Sequence, residues 1–256
     1  MYEQELEFAK LAATQAGAII KHNYQRQIPI SYKSDDSPVT QADTQAEAAI
    51  RQVLAQKFPS YGFVGEETGG EIDQDGFTWL VDPLDGTKSF VRGYPFLSTQ
   101  IALMHAGEIV VGVSSAPIFE EIAYAIQGRG AWLNGKRLCV SDVNQLERAT
   151  LSSGNVGSLA VSQSWLRYGK LLNTCNRTRG YGDFYHYHLL AAGKIDVVIE
   201  SDLNILDIAA LSLIVNEAGG KCTDLAGQTI CASTTSMLAA NARLHARVLS
   251  WLSWQG

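Results

Sequence analysis

The stretch Trp79-Leu80-Val81-Asp82-Pro83-Leu84-Asp85-Gly86-Thr87 carries the strongest local signal in the chain. Its apolar start predicts a strand from Phe77 to Val81, which ends in two aspartates three positions apart. Pro83 restricts the backbone between them, so a turn there can aim both carboxylates at one point. Gly86 and Thr87 can offer backbone amides to an anion at the start of a short helix. The stretch favours a magnesium site with a phosphate cradle over the commoner interpretation, an Asp-Pro turn with a helix cap.

Another carboxylate pair lies upstream, at the end of a second predicted strand. That strand is Tyr61 to Val64, and Gly65-Glu66-Glu67 follows it directly. A shared sheet edge would place Glu66 beside the two aspartates. Crowded carboxylates repel one another unless a cation or a proton neutralises them. The two segments together therefore strengthen the prediction of a metal-dependent site.

Length and composition fall in the range of ordinary soluble globular proteins and are compatible with a compact enzyme. The 256 residues, 46% hydrophobic and 18% charged, can bury a substantial core in one large domain or two small ones. The formal net charge of −6 disfavours a nucleic-acid-binding surface, which needs clustered Lys and Arg. We therefore expect a small anionic substrate, bound with local help from metals or backbone amides, and no nucleic-acid partner.

The first residues of the chain and the cysteines are used to predict the cellular compartment of the protein. Glu3, Glu5 and Glu7 precede the first apolar positions, unlike a signal peptide, and no run of about 18 apolar residues predicts a membrane span. The cysteines lack the short paired spacings of a zinc site and the density of a disulfide scaffold; they are Cys139, Cys175, Cys222 and Cys231. We expect them to be reduced and mostly buried, in a cytoplasmic protein with no membrane partner.

Apolar periodicity organises the rest of the chain. It predicts an opening helical pair, Tyr2 to Tyr24 and Gln41 to Lys57, and a large antiparallel sheet between Phe96 and Leu133. The later predicted elements are helices at Gln163–Leu172, Asp183–Ala192 and Ile205–Ala218 and a strand at Ile195–Glu200. The predicted fold class is α+β, a layered sandwich of two joined halves. Residues 1–145 would carry the acidic motifs, and residues 146–256 the substrate side.

The acidic motifs resemble those of a known family. Gly65-Glu66-Glu67, Asp82 to Thr87 and the later segment Leu206-Asp207-Ile208-Ala209-Ala210 are similar to hallmark elements of the inositol monophosphatase superfamily. Leu213 to Gly220 resembles its C-terminal signature, so the resemblance covers almost the whole chain. It implies a layered αβαβα sandwich and a phosphomonoesterase that uses two or three Mg²⁺ ions per site. It also implies a homodimer and sensitivity to Li⁺.

The resemblance assigns roles to individual residues. The implied metal ligands are Glu66, Asp82, the Leu84 carbonyl, Asp85 and Asp207. Glu66 and Thr87 would act on the attacking water, and the Gly86 and Thr87 amides would hold phosphoryl oxygens. Asp43 matches a residue that orders water and the catalytic threonine, here Thr87. Without the resemblance, Asp43 would be interpreted as an early-helix acidic residue or cap. The implied reaction is direct hydrolysis without a covalent phosphoenzyme.

The segment Arg179 to Tyr187 bears on the substrate. Its sequence, Arg-Gly-Tyr-Gly-Asp-Phe-Tyr-His-Tyr, resembles the Gly-Asp-x-Tyr-x-Tyr segment of the histidinol-phosphate phosphatase branch. Asp183 could meet a cationic amine there. Glu200, at a position that the family uses beside the substrate, would also suit an amino-alcohol phosphate. Together with Arg179, these two carboxylates are the predicted substrate contacts.

Several alternatives stay open at this level. Leu206 and Leu211 stand where the family often has Trp and Gly, which would alter the pocket wall without removing a metal ligand. His186 and His188 are interpreted as helix-packing residues rather than metal ligands. As substrates we rank L-histidinol phosphate first, inositol 1-phosphate second and nucleotide 3′-phosphates third. A non-catalytic binding protein on the same scaffold is the alternative of a different class, because a fold does not guarantee chemistry.

Overall fold

The computed structural model describes residues 1–26, 29–32 and 38–254. Its helices are α1 (Glu3–Asn23), α2 (Gln41–Lys57), α3 (Thr87–Val91), α4 (Val156–Ala160), α5 (Trp165–Thr174), α6 (Asp183–Ala191), α7 (Ile205–Glu217) and α8 (His245–Leu252), with a 3₁₀ turn at Leu146–Arg148. The predicted helices therefore all form, with ends shifted by at most two residues. Within these ranges, no helix is long and apolar enough to cross a membrane.

The strands form one large, one medium and one very small sheet. The seven-stranded sheet contains, in spatial order, β3 (Gly62–Gly65), β4 (Phe77–Asp85), β5 (Ser98–His105), β6 (Glu108–Ala116), β7 (Glu121–Ile126), β8 (Gly130–Leu133) and β9 (Lys136–Arg137). The five-stranded sheet contains β11 (Arg177–Arg179), β10 (Thr150–Ser153), β12 (Val197–Ser201), β14 (Ser236–Asn241) and β13 (Gly220–Thr223). The smallest pairs β1 (Ile30–Tyr32) with β2 (Pro38–Thr40). The large sheet is antiparallel as predicted, except that β3 and β4 are parallel.

Both larger sheets are buried on both faces, which produces five layers. On β5, Ile101 and Leu103 face a core shared with α1 and α2, whereas Ala102 and Met104 face a core shared with α6 and α7. The five-stranded sheet closes that central core on its other side and packs its outer face against α4, α5 and α8. Strand side chains alternate between faces, so a two-residue period distributes them between neighbouring cores. The layer order α, β, α, β, α confirms the predicted α+β sandwich.

Helix α7 lies at the centre of this arrangement. It is apolar on nearly all sides, as expected of a helix enclosed between two sheets. An added Cβ on Gly112 would lie 2.8 Å from the Ala210 carbonyl oxygen, so this glycine permits α7 to approach β6 closely. Because α6 and α7 pack in one core with strands of both sheets, the proposed division near residue 145 stays a prediction.

The cysteines differ from their expected burial. All four are free, but only Cys175 and Cys222 are buried, while Cys139 and Cys231 are exposed. The expectation of mostly buried thiols was therefore wrong for half of them. Cys231 lies between β13 and β14, outside the apolar cores, where a sequence pattern gives no direct measure of exposure.

Candidate active site

An acidic pocket opens where β4, α3, α6, β12 and α7 approach one another. Its cavity has a volume of about 310 Å³. The acidic residues that line it are Glu66, Asp82, Asp85, Asp183, Glu200, Asp202 and Asp207. Among its described lining residues, Lys88 is the one cationic side chain. Every carboxylate predicted from the sequence to bind metal or substrate therefore reaches one cavity, with Asp43 directly behind it.

Two strand ends place the first three carboxylates together. Strands β3 and β4 run parallel with Gly65 opposite Val81, and the Glu66 amide donates to the Val81 carbonyl at 3.0 Å. Glu66 thus begins beside the point where Asp82 follows Val81. The shared sheet edge predicted for the two acidic motifs is present.

A β-bulge, rather than the predicted turn, orients Asp82 and Asp85. Strand β4 continues past Val81 to Asp85, and residues three apart in a regular strand would face opposite sides. Asp82 pairs with Gln100 and Asp85 with Ser98, so three steps on β4 match two on β5. The extra residue brings both carboxylates to the pocket side, and Pro83 is tolerated because the ladder is interrupted there.

Burial and mutual repulsion dominate the electrostatics of these groups. Burial, followed by the charges of Glu66, Asp85 and Asp207, raises the pKa of Asp82 well above its usual range. A hydrogen bond with Glu66 acts in the same direction. The pKa of Asp85 is also raised well above its usual range by burial and by nearby Asp183 and Asp207. The charged forms of these carboxyls are therefore unfavourable in the pocket unless a cation neutralises them.

Asp207 enters the pocket from the first turn of α7, where it also completes a capping box. Its carboxylate accepts hydrogen bonds from the Asn204 backbone amide at 2.9 Å and from Asn204 Nδ2 at 2.8 Å. Burial raises the pKa of Asp207 to about 7, although the Asn204 hydrogen bonds act in the opposite direction. The cap therefore fixes the direction of the side chain while leaving it able to exchange a proton for a cation.

Asp43 occupies the equivalent position in α2. Its Oδ2 accepts from the Thr40 amide at 2.8 Å and from the Thr40 hydroxyl at 2.6 Å, which completes a second capping box. Its Oδ1 lies 3.0 Å from the Thr87 hydroxyl. Asp43 is fully buried, and burial raises its pKa. The cap interpretation of Asp43 is confirmed. Its other carboxylate oxygen contacts Thr87, and the catalytic role of that contact stays a prediction.

Gly86 is required by the backbone at the pocket rim. It adopts φ +89°, and an added Cβ would lie 2.5 Å from the Phe96 carbonyl oxygen. Gly86, Thr87, Lys88 and Ser89 all line the cavity. The first amides of a helix have no partner within the helix, so this rim can offer N–H donors to an anion.

The oxygen donors in the pocket suit a hard divalent cation. Within the described residues, no group of three or more His, Cys, Asp or Glu side chains stands ready-placed around a single point for a metal ion. The chemistry of the donor set is nevertheless clear: carboxylates and a backbone carbonyl, with raised carboxyl pKa values that a cation would lower again. We conclude that Glu66, Asp82, the Leu84 carbonyl, Asp85 and Asp207 fit such an ion.

A second group of side chains lines the same pocket, close enough to act electrostatically on Asp85 and Asp207. Glu200 Oε2 accepts from His186 Nε2 at 2.9 Å and from the Tyr187 hydroxyl at 2.7 Å. An added Cβ on Gly154 would clash with Glu200 Oε1, so this glycine leaves room for the carboxylate. Asp183 begins α6 with φ 48°, and burial, followed by the charge of Glu200, raises its pKa to about 6. His186 thus packs in the helix and supports Glu200, as expected of a residue that is not a metal ligand.

Two sequence predictions do not match this geometry. Arg179 lies on β11, the edge strand of the five-stranded sheet, where its exposed guanidinium donates to the Thr178 carbonyl at 2.7 Å. It does not line the pocket, so this arrangement gives no support to the predicted substrate contact, which stays a prediction. Leu211 does line the pocket, but Leu206 packs against the central core instead. Only Leu211 therefore alters the wall.

Some supporting residues were missed from the sequence. Ser98 donates to Asp85 Oδ2 at 2.9 Å, and Asn155 lines the pocket while donating to the Ser201 carbonyl at 2.8 Å. Asn204, which holds Asp207, could have been found from its spacing three residues before an acidic residue at a helix start. Ser98 and Asn155 carry no such local signal, because their partners come from other strands.

Comparison with known proteins now identifies the family. A model of the inositol monophosphatase family matches residues 1–254. The chain belongs to the inositol monophosphatase family. It is 41% identical to the histidinol-phosphatase of Mycobacterium tuberculosis over 229 residues, which cover 88% of each chain. It is 36% identical to inositol monophosphatase 2 of Solanum lycopersicum over 252 residues, covering 94% of this chain and 95% of the relative.

Solved structures of the family show the same fold. The extragenic suppressor protein suhB of Bartonella henselae superposes with a TM-score of 0.89 at 31% identity and covers 98% of each chain. The chain is therefore a hydrolase of phosphoric monoesters, from a family whose enzymes are generally metal-dependent. Both histidinol-phosphatases and inositol phosphatases are among its relatives. Family membership therefore does not identify the substrate, which must be inferred from the residues of the pocket.

Proposed function

We propose that this chain is a Mg²⁺-dependent phosphatase that hydrolyses L-histidinol phosphate to L-histidinol and inorganic phosphate. The observation that carries the proposal is the position of Asp183 and Glu200, which line the same cavity as the candidate metal ligands. An amino-alcohol phosphate has a dianionic end and a cationic end. The pocket offers complementary groups for each: a cation site with helix-start amides, and the two further carboxylates of Asp183 and Glu200.

Oxygen donors suit hard cations such as Mg²⁺, Ca²⁺ and Mn²⁺, and we propose Mg²⁺ because it commonly bridges carboxylates and substrate phosphates. Glu66, Asp82, the Leu84 carbonyl, Asp85 and Asp207 would hold two or three ions. When bound, Mg²⁺ supplies positive charge to the phosphoryl oxygens and acidifies water. The raised pKa of Asp207, about 7, is consistent with a site that exchanges protons for metal near neutral pH.

Thr87 is positioned to orient the attacking water. Its hydroxyl lies 3.0 Å from both Asp43 Oδ1 and the Leu84 carbonyl oxygen, and it has a single proton to donate. Its lone pairs remain available to accept a hydrogen bond from water in the cavity. Asp43, fixed by Thr40, can accept the hydroxyl proton of Thr87 and so set the direction of that hydrogen bond. The chain itself thus orients the nucleophile beside Glu66.

Specificity would come from the amine end of the substrate. An alkylammonium group approaching Asp183 and Glu200 would gain charge-assisted hydrogen bonds in a partly dehydrated site. Glu200 is buried and held by two donors on α6, which reduces the entropic cost of using it. The relative from M. tuberculosis, named a histidinol-phosphatase, supports this choice at 41% identity. Inositol 1-phosphate is the second candidate, supported by the inositol monophosphatase relative at 36% identity.

Asp183→Asn tests the assignment. Both Asp183 (φ 48°) and Asp202 (φ 60°) adopt left-handed backbone, which Asn tolerates, so Asp202→Asn is a matched control that removes an exposed pocket charge. Losing one charge-assisted hydrogen bond costs about 1.5–3 kcal/mol, or roughly 10- to 150-fold in kcat/KM. We expect that loss for histidinol phosphate with Asp183→Asn, a much smaller one for inositol 1-phosphate, and no selective loss with Asp202→Asn. An equal loss on both esters would remove histidinol phosphate from first place.

A further inference from the structure

A series of buried hydrogen bonds leads from Asp85 away from the pocket and into the seven-stranded sheet. Ser98 Oγ donates to Asp85 Oδ2 at 2.9 Å, and Gln100 Nε2 donates to Ser98 Oγ at 2.7 Å. Ser98 and Gln100 are fully buried. Polar side chains on a strand that is otherwise enclosed by apolar cores require partners, and these two find them in each other and in the pocket carboxylate.

The same amide group reaches helix α6 in the other direction. Gln100 Nε2 lies 3.1 Å from Ser114 Oγ, and Ser114 Oγ lies 2.9 Å from His188 Nε2. His188 Nδ1 then lies 3.0 Å from Glu121 Oε2. Gln100 is thus the branch point between a candidate metal ligand and the helix that also carries Asp183 and Tyr187.

The protons in this network can be assigned consistently. The two hydrogens of Gln100 Nε2 go to the hydroxyl oxygens of Ser98 and Ser114. Each hydroxyl then donates its own proton onward, Ser98 to Asp85 and Ser114 to His188 Nε2. His188 accepts at Nε2 and donates from Nδ1 to Glu121. With this assignment, every donor between Asp85 and Glu121 has an acceptor.

The opposite orientation of the Gln100 amide is unfavourable. With its oxygen toward the serines, the single Ser98 proton would be divided between Gln100 and Asp85, and the two amide hydrogens would be buried without acceptors. In the observed orientation, the buried amide oxygen Gln100 Oε1 lacks a hydrogen-bond partner within the described residues. A buried unpaired oxygen opposes folding, so stability alone does not explain a glutamine at this position.

Strand register brings these side chains together. Asp85 is opposite Ser98 on β4 and β5, and Gln100 is opposite Ser114 on β5 and β6. Ser98 and Gln100 are two residues apart and share the face of β5 that also holds Ala102, which packs in the core with α6 and α7. The network therefore follows rigid sheet pairing, which can hold a carboxylate more firmly than loop contacts.

We propose that Gln100 is a positioning residue for Asp85, held in place through Ser114 by His188 of the substrate-side helix. This inference rests on the proposed function, because it assigns Gln100 a role toward a metal-binding carboxylate. The Gln100 amide fixes the Ser98 hydroxyl, and that hydroxyl fixes Asp85 Oδ2, so Asp85 Oδ1 is presented to the pocket. Outer partners of metal-binding carboxylates commonly have large effects on metal affinity.

The first test is Gln100→Met, which keeps the length of the side chain and removes its donors. Isothermal titration calorimetry with Mg²⁺ on the whole protein should show a rise of about 10-fold in the Mg²⁺ dissociation constant. The melting temperature without metal should stay near that of wild type or increase, because the unpaired amide oxygen is also removed. Thr78→Val is the control: Thr78 is equally buried on β4 and bonds to the Asp73 amide, remote from Asp85, so it should change only the melting temperature.

The second test distinguishes the role of His188 Nε2, which contacts Ser114, from that of His188 Nδ1. A glutamine side chain reaches the position of Nε2 and can accept from Ser114, whereas an asparagine side chain reaches only that of Nδ1. His188→Gln should therefore retain the Mg²⁺ affinity of wild type, while His188→Asn should weaken it in the same direction as Gln100→Met. If Gln100→Met fails to fold, comparing the Mg²⁺ affinities of His188→Gln and His188→Asn still tests the positioning role.

The outcomes distinguish this inference from the proposed function. If wild type binds no Mg²⁺ and releases no phosphate, both are overturned. If wild type does both, and Gln100→Met and His188→Asn bind Mg²⁺ with wild-type affinity, only the positioning role is overturned. A lowered melting temperature with unchanged Mg²⁺ affinity would likewise assign the network to stability alone.

Discussion

Thr87 Oγ1 lies 3.0 Å from Asp43 Oδ1, a contact that joins the bulged strand β4 and the start of α3 to helix α2. Two segments more than forty residues apart are thus held together at the point where the nucleophile would be oriented. Asp43 is fully buried and has a second oxygen engaged by Thr40, so it cannot turn away from Thr87 without losing its cap. Substitutions that remove this contact therefore test the proposed hydrolytic geometry directly.

Thr87→Val is expected to lower kcat by about 100-fold or more, because general acid–base contacts of this kind contribute roughly 10²–10⁴-fold. Thr87→Ser keeps the hydroxyl and should retain most activity. Steady-state kinetics with saturating Mg²⁺ would measure both variants, with melting temperatures as a check on folding. Near-normal turnover by a folded Thr87→Val variant would show that the hydroxyl takes no part in the reaction.

Asp82→Asn should retain the fold while losing most activity. The substitution removes a buried charge that is unfavourable without metal, so the melting temperature of the metal-free protein should stay the same or increase. The loss in turnover should be at least about 100-fold, above the usual effect of outer partners of a metal. Asp207→Asn should behave alike, although it also weakens the cap with Asn204. Calorimetry without metal and Mg²⁺-titrated kinetics would separate the two effects, and ordinary Mg²⁺ dependence in both variants would contradict the ligand roles.

The metal-free protein should become less stable as the pH rises from about 4 to about 7. Burial raises the pKa of Asp183 to about 6 and that of Asp207 to about 7, from a usual value of 3.8 for each. The folded state therefore binds more protons than the unfolded chain in this range, and that contribution to stability is lost as these groups ionise. Urea unfolding across the range in the presence of a chelator would measure it. Asp207→Asn should flatten the upper part of the profile, and an unchanged slope would contradict the assignment.

Mg²⁺ should stabilise the protein more at about pH 8 than at about pH 5, because metal must displace protons from the carboxylates at the lower pH. The measurement is the shift in melting temperature on adding Mg²⁺ at each pH. Equal shifts at both values would indicate that the ion binds outside the group of perturbed carboxylates.

Li⁺ should inhibit turnover by competing at one of the magnesium positions, as the family resemblance implies. Inhibition should depend on the Mg²⁺ concentration, because both cations would use the same carboxylates. Rates measured across a matrix of both ions would show this dependence. A rate unaffected by millimolar Li⁺ at every Mg²⁺ concentration would contradict the shared site.

The sequence predicted most of the fold because its signals are local. Helix α2 begins and ends at the predicted residues, and α7 begins at its predicted residue and ends one residue before the predicted end. Asp43 and Asp207 also had a detectable local pattern, since each follows its N-cap residue, Thr40 or Asn204, by three positions. These features depend on contacts within a few residues and are therefore visible in one sequence.

The parts that were missed depend on pairing between distant segments. A bulge between Asp82 and Asp85 follows from the register of β4 with β5, which no local pattern specifies. Gln100 interrupts an apolar strand, but its partners come from β6 and, through Ser114, from α6. The exposure of Arg179 likewise follows from the edge position of β11. Register and sheet order fix these outcomes, and both are global properties of the fold.

The most direct test of the central claim is phosphate release by the wild-type protein from L-histidinol phosphate and inositol 1-phosphate in parallel, with Mg²⁺ and with a chelator. We expect Mg²⁺-dependent hydrolysis of both esters, with a higher kcat/KM for histidinol phosphate because Asp183 and Glu200 line the pocket and would bind its ammonium group. Chelation should abolish both activities. Higher kcat/KM for inositol 1-phosphate would contradict the substrate assignment, and no Mg²⁺-dependent release from either ester would contradict the proposed function.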